Sequence, residues 1–205
     1  MLKIVKITVF IFVAVSASAN AEVIVFDNGG PDYSMVGGAD LLLYIQAEDF
    51  TVAQNEIITG AHFFTIEQHG PSWDETLEYF IFDNDGGKPG NLLHSGDGQQ
   101  INRSYIKETN FAASAFEYDF KFENQLNVTA GQVYWFGLHL NPLEGSVIRW
   151  DTTSSGLGST DYESLGGTQD NWQDTSYHHA FYLTPEPASI ALLGLGLLFI
   201  RKRIA

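Results

Sequence analysis

From residue 22 to residue 184, apolar side chains recur at every second position, in short runs cut apart by glycine, proline, asparagine and aspartate. Successive residues of a strand point to opposite faces of a sheet, so this period fits pleated strands with one face buried and does not build the stripe of an amphipathic helix. Residues 22–26 (EVIVF) make a first strand, closed by the turn signal Asp27-Asn28-Gly29-Gly30-Pro31. Residues 50–52 and 57–67 (IITGAHFFTIE) follow, with His62, Phe64 and Ile66 on one face. Residues 77–82 (LEYFIF) set Leu77, Tyr79 and Ile81 against Glu78, Phe80 and Phe82; the second half is apolar on both faces, as a central strand would be. After the turn at 83–90 (DNDGGKPG), strands are expected at 92–95, 99–106, 118–122, 133–140 (VYWFGLHL), 147–150 and 179–183, while 41–48 can be read either way. This spacing predicts one all-β domain over residues 22–184, an antiparallel β-sandwich or jelly roll. There is no long amphipathic helix, no βαβ alternation and no internal repeat.

Composition supports that reading and removes several functions. An aromatic share of 14%, drawn mostly from Phe and Tyr, favours sheets, on which flat rings pack well. A chain of 205 residues holds one domain with a real core, and two only with difficulty. Five of the ten basic residues lie near the two ends, leaving five in residues 22–184 against 24 acidic residues, a balance of −19. Such a surface repels phosphate backbones, so nucleic-acid binding is excluded. It is well solvated and draws divalent cations. There is no cysteine, which removes thiol catalysis, Cys-ligated zinc and iron–sulfur chemistry.

The ends read as addresses. Lys3 and Lys6 precede an apolar run over residues 7–15, followed by Ala19-Asn20-Ala21, the layout of a signal peptide over residues 1–21. Cleavage before Glu22 is expected, with cleavage after Ala19 as the alternative. At the other end, Pro185-Glu186-Pro187 precedes an apolar stretch over residues 188–200 and the basic cluster Arg201-Lys202-Arg203. Thirteen helical residues rise only ~20 Å against a hydrocarbon core of ~30 Å, so membrane contact through residues 188–200 would be a poor permanent anchor. The basic end would stay on the cytoplasmic side and the body outside.

This C-terminal order resembles the PEP-CTERM sorting signal. The resemblance covers residues 185–205 and implies recognition by an exosortase, a membrane transpeptidase-like protease of Gram-negative bacteria that typically make exopolysaccharide. That family usually has Val before the first Pro, where Thr184 stands here. A looser likeness extends over the body. The stretches AEDFTV, FIFDNDGGKPGNLLHSG, LNVTAGQVYWFGLHL, IRW and AFYL are similar to a β-sandwich module common in exported PEP-CTERM proteins, which implies architecture and says little of activity.

Four features invite chemistry. Asp83 and Asp85 sit in an oxygen-rich turn that suits calcium, although Asp and Asn also favour turns because they cap their own backbone. As an EF-hand loop the stretch fails, since its twelfth position is His94. His178 and His179 are adjacent, which on a strand sends the two rings to opposite faces, and no H-E-x-x-H pattern joins them. No G-x-S-x-G elbow is present, and with so many acidic residues no carboxylate pair stands out as glycosidase machinery. Trp150, Tyr162, Trp172 and Tyr177 lie in or beside the long polar stretch 151–177, where rings flanked by Asp, Asn and Gln suit a sugar; burial of Trp150 and Trp172 against a sheet edge is the competing reading.

The sequence thus points to a protein exported with the help of signal peptidase and exosortase to the cell envelope, outer surface or extracellular matrix. Its role is expected to be non-catalytic, structural or binding, in association with exopolysaccharide and without a resident cofactor. The alternatives are a carbohydrate-binding module acting through residues 150–177 and, third, an extracellular hydrolase.

Overall fold

The computed structural model describes residues 24–34, 40–68, 73–109, 112–142, 147–164 and 168–185. Residues 1–21, 188–200, Glu186, Pro187, Arg201, Lys202 and Arg203 lie outside them, and with these the expected leader and sorting helix. No helix occurs among the described residues, and hence none long and apolar enough to cross a membrane.

The described residues form twelve strands: β1 (Phe26–Asp27), β2 (Ile45–Thr51), β3 (Glu56–Gln68), β4 (Trp73–Asn84), β5 (Pro89–Asp97), β6 (Gln99–Glu108), β7 (Ala113–Val128), β8 (Val133–Pro142), β9 (Val147–Trp150), β10 (Tyr162–Ser164), β11 (Trp172–Asp174) and β12 (Phe181–Pro185). They form two antiparallel six-stranded sheets. One has the order β1-β12-β3-β7-β6, with β9 pairing the far half of β3; the other runs β11-β10-β2-β8-β4-β5. The stretch 41–48, open in the sequence, divides into a turn at 41–43 and the start of β2.

Alternate residues of both sheets meet in one core. Phe50, Tyr79, Tyr134, Phe136 and Leu138 from one sheet pack on Phe63, Tyr118, Phe120, Phe122, Trp150 and Phe181 from the other. Tyr79 stacks on Phe122 with centroids 4.2 Å apart, and Phe136 meets Trp150 edge-on at 5.9 Å. Each such pair adds about 0.5–1.5 kcal/mol to the burial of its rings.

Strand β4 shows why both of its faces are apolar. It lies between β8 and β5, with Leu77, Tyr79 and Ile81 in the core and Phe80 and Phe82 on the outer face. That outer face is a second apolar patch, formed by Ile45 and Ala47 of β2, Phe80 and Phe82 of β4 and Trp135 of β8. Gly137 lies between Ala47 and Phe80 in register. A Cβ there would stand 3.2 Å from Phe80 and Phe82, so the bare backbone lets the flanking side chains close over it.

Candidate functional site

The outer patch is covered by the stretch that the sequence left as a long polar loop. Within it β10 adds to β2, with Tyr162 opposite Ala47, and β11 folds back on β10, with Trp172 opposite Ser164. This register brings Tyr162 and Trp172 onto the outer face. Tyr162 meets Trp135 edge-on at 5.3 Å, and Trp172 meets Phe82 edge-on at 5.1 Å.

Beside Trp172 opens a groove of about 560 Å³. One wall is the turn between β4 and β5 with its flanks, residues 83–85 and 88–91; the other is residues 169–172. The first wall is built on Asp83, whose Oδ1 accepts the Asn91 backbone N–H at 2.5 Å and whose Oδ2 accepts the Asn91 amide at 3.0 Å. Gly90 allows this closeness, since a Cβ there would fall 2.2 Å from Asp83 Oδ1. Asn84 Oδ1 accepts the Trp135 indole N–H at 3.1 Å, tying the turn to the patch beneath it. In the second wall, Asp170 Oδ1 accepts from Thr168 and from the Asn171 amide. The Trp172 ring is half-buried, and its indole N–H has no hydrogen-bond partner among the described residues.

The calcium expectation at Asp83 and Asp85 gains no support from this arrangement. Both Asp83 oxygens serve Asn91, and no group of three or more His, Cys, Asp or Glu side chains able to hold a metal gathers among the described residues.

Trp150 requires a correction. On β9, paired with β3, it is fully buried, donates its indole N–H to the Ala180 carbonyl at 3.0 Å and is stacked by His179 at 4.6 Å. No face of it remains for a sugar. Tyr162 lies against Trp135 and takes no part in the groove wall, and Tyr177 is exposed but stands away from the groove. Of the four rings singled out in the sequence, only Trp172 reaches the groove, and the opposing wall is a turn some 80 residues earlier in the chain.

A second cluster underlies the same stretch of chain. His178 Nδ1 lies 2.8 Å from Glu48 Oε1, and the His179 backbone N–H donates to Glu48 Oε2 at 3.0 Å. The His179 ring turns to Asp161 instead, with Nε2 2.7 Å from Oδ2. Adjacent positions do send the two rings apart, but one buried glutamate on β2 holds both residues. Burial pushes the Glu48 carboxyl up to about 7, against the pull of its contacts with His178 and His179. The His178 ring is raised by its bond to Glu48. Asp49 accepts the Ser159 N–H at 2.9 Å, and Gly158 passes so close, with φ +86°, that any Cβ would strike that carboxylate. These contacts clamp residues 158–159 and 178–179 onto β2.

Beyond the clamp the chain enters β12, whose last residue is Pro185, the first of Pro-Glu-Pro. A PEP-CTERM protein-sorting motif occupies residues 183–203. The PEP-CTERM motif marks an exported, cell-surface-directed protein that is sorted by an exosortase. Leu183, Thr184 and Pro185 of the PEP-CTERM match belong to β12 and so to the fold itself. No curated protein and no solved structure matches the chain.

Proposed function

We propose that this exported, exosortase-sorted protein works without catalysis in the cell envelope or extracellular matrix, and that the groove beside Trp172 binds a glycan, with exopolysaccharide as its natural source. The observation that carries the reading is the partly exposed Trp172 ring in the wall of a polar groove. Sugars offer C–H faces to aromatic rings and hydroxyls to Asp, Asn and Gln. A volume of about 560 Å³ is within the usual range for small-ligand sites. Asp83 and Asp170, the carboxylates whose bonds shape the two walls, hold the turns in place, which favours binding over hydrolysis.

Titration of the protein with a panel of envelope and matrix oligosaccharides, followed by tryptophan fluorescence, tests this. The reading expects a saturable change with at least one glycan and at least a tenfold loss of affinity in Trp172→Ala. No response across the panel, or an undiminished one in the variant, overturns it.

A further inference from the structure

Three carboxylates and one ammonium line the groove beside Trp172: Asp83, Asp85 and Lys88 on one wall, Asp170 on the other. Among the described residues no ion pair joins any of these carboxylates to Lys88 or to another cation. Asp83 accepts from the backbone N–H and the side-chain amide of Asn91, and Asp170 from the Thr168 hydroxyl and the Asn171 amide, all of them uncharged donors. Such bonds fix where the charges sit without cancelling them. The turns that carry the carboxylates are held as well. Asn84 Oδ1 accepts the Gly87 N–H at 3.2 Å in addition to the Trp135 indole, and the Asp85 N–H donates to the Lys88 carbonyl at 2.9 Å. Across the groove, the Ser164 hydroxyl donates to the Asp170 carbonyl at 2.9 Å. The partly exposed Trp172 ring lies in the same wall as Asp170.

Building on the reading of this groove as a glycan site, we infer that it selects its ligand by charge: it takes a glycan bearing primary amines and turns away chains bearing carboxylates or sulfates. An ammonium has three donors, and its hydrogen bonds to carboxylates are roughly twice as strong as those of a neutral hydroxyl. It is also drawn to the face of an indole, the best of the aromatic rings for a cation. The groove offers both partners, an indole and carboxylates that no cation has claimed. A hydroxyl in place of the amine keeps a hydrogen bond and loses the charge. An N-acetyl group loses the charge and leaves a single donor. A uronate brings a fourth carboxylate among three, with Lys88 alone to meet it. The acidic excess of the whole body repels such a chain before it arrives.

Tryptophan fluorescence titrations with three oligosaccharides of equal length test it: a glucosamine oligomer, the same oligomer N-acetylated, and a uronic acid oligomer. In mildly acidic buffer, where sugar amines are protonated, the glucosamine oligomer is expected to bind at least about tenfold tighter than its acetylated form, and the uronate not to bind. That advantage is expected to shrink as salt rises from about 0.05 M to about 0.5 M. Asp85→Asn, a change at an exposed position, is expected to cut the advantage several-fold, while Asp97→Asn at the far end of β5 leaves it whole. Equal affinities for the amine and acetylated forms, or a tighter uronate, overturn the inference. An equal loss in the two variants overturns it too, by tracing the preference to the diffuse charge of the body. Binding of a neutral glycan with no preference for the amine strikes charge selection alone and leaves the glycan site standing, whereas silence of every glycan strikes both.

Discussion

Thr184 is almost wholly buried at the end of β12, and its hydroxyl has no hydrogen-bond partner among the described residues. A buried hydroxyl without a partner loses its hydration and gains nothing in return. Valine has nearly the same shape without that cost. Thr184→Val is therefore expected to stabilise the fold by about 1 kcal/mol, raising the melting temperature by about 2–4 °C in a domain of this size. Thermal denaturation followed by circular dichroism checks this, and a lowered melting temperature would show that the hydroxyl is satisfied after all. Trp150 teaches the opposite lesson about single residues. Its polar neighbours in sequence suggest a surface ring, yet pairing of β9 with β3 turns it into the core, and nothing local in Arg149-Trp150-Asp151 records that pairing.

Among the elements, β3 and β7 slip register between Ile58 and Gly60. A Cβ on Gly60 would stand 2.6 Å from the Phe120 carbonyl oxygen and 3.1 Å from the Thr184 hydroxyl. The first neighbour is backbone and cannot swing aside. Gly60→Ala is expected to cost about 1–3 kcal/mol, as overpacking of a filled site does, with the midpoint of urea unfolding falling and its slope unchanged. A midpoint equal to that of the parent would mean that the sheet yields there. The strands legible in the sequence were those that carry their own alternation over many residues, β3, β4 and β8 above all. β10 and β11 were missed because each is three residues long and mostly polar. They exist because Tyr162 and Trp172 cover the apolar patch on β2, β4 and β8, and that patch is assembled from distant segments. The groove was half legible for the same reason. Trp172 and the 83–90 turn each drew notice, but only the sheet order places them face to face.

For the whole molecule, the buried acids set how stability follows pH. Burial raises Glu48 from 4.5 to about 7 and Asp151 from 3.8 to about 6. Between the lower and upper values the folded chain holds protons that the unfolded chain has released, so stability falls as pH rises through that window. The raised His178 acts in the same sense, its contribution being complete below 6.5 and lost above its folded value. The large negative balance of the body adds repulsion in the same direction. The melting temperature is therefore expected to decline from about pH 5 to about pH 8, and Glu48→Gln is expected to flatten the slope between 5 and 7. Melts across that range check both; a melting temperature that climbs toward pH 8 would contradict the assignment.

The placement of β12 has a mechanical consequence. It lies between β1 and β3, so a tug applied at its C-terminal end along the strand axis loads both pairings at once. The bonds to both neighbours then share the load side by side, like rivets in a lap joint, where a loosely attached end would peel away one bond at a time.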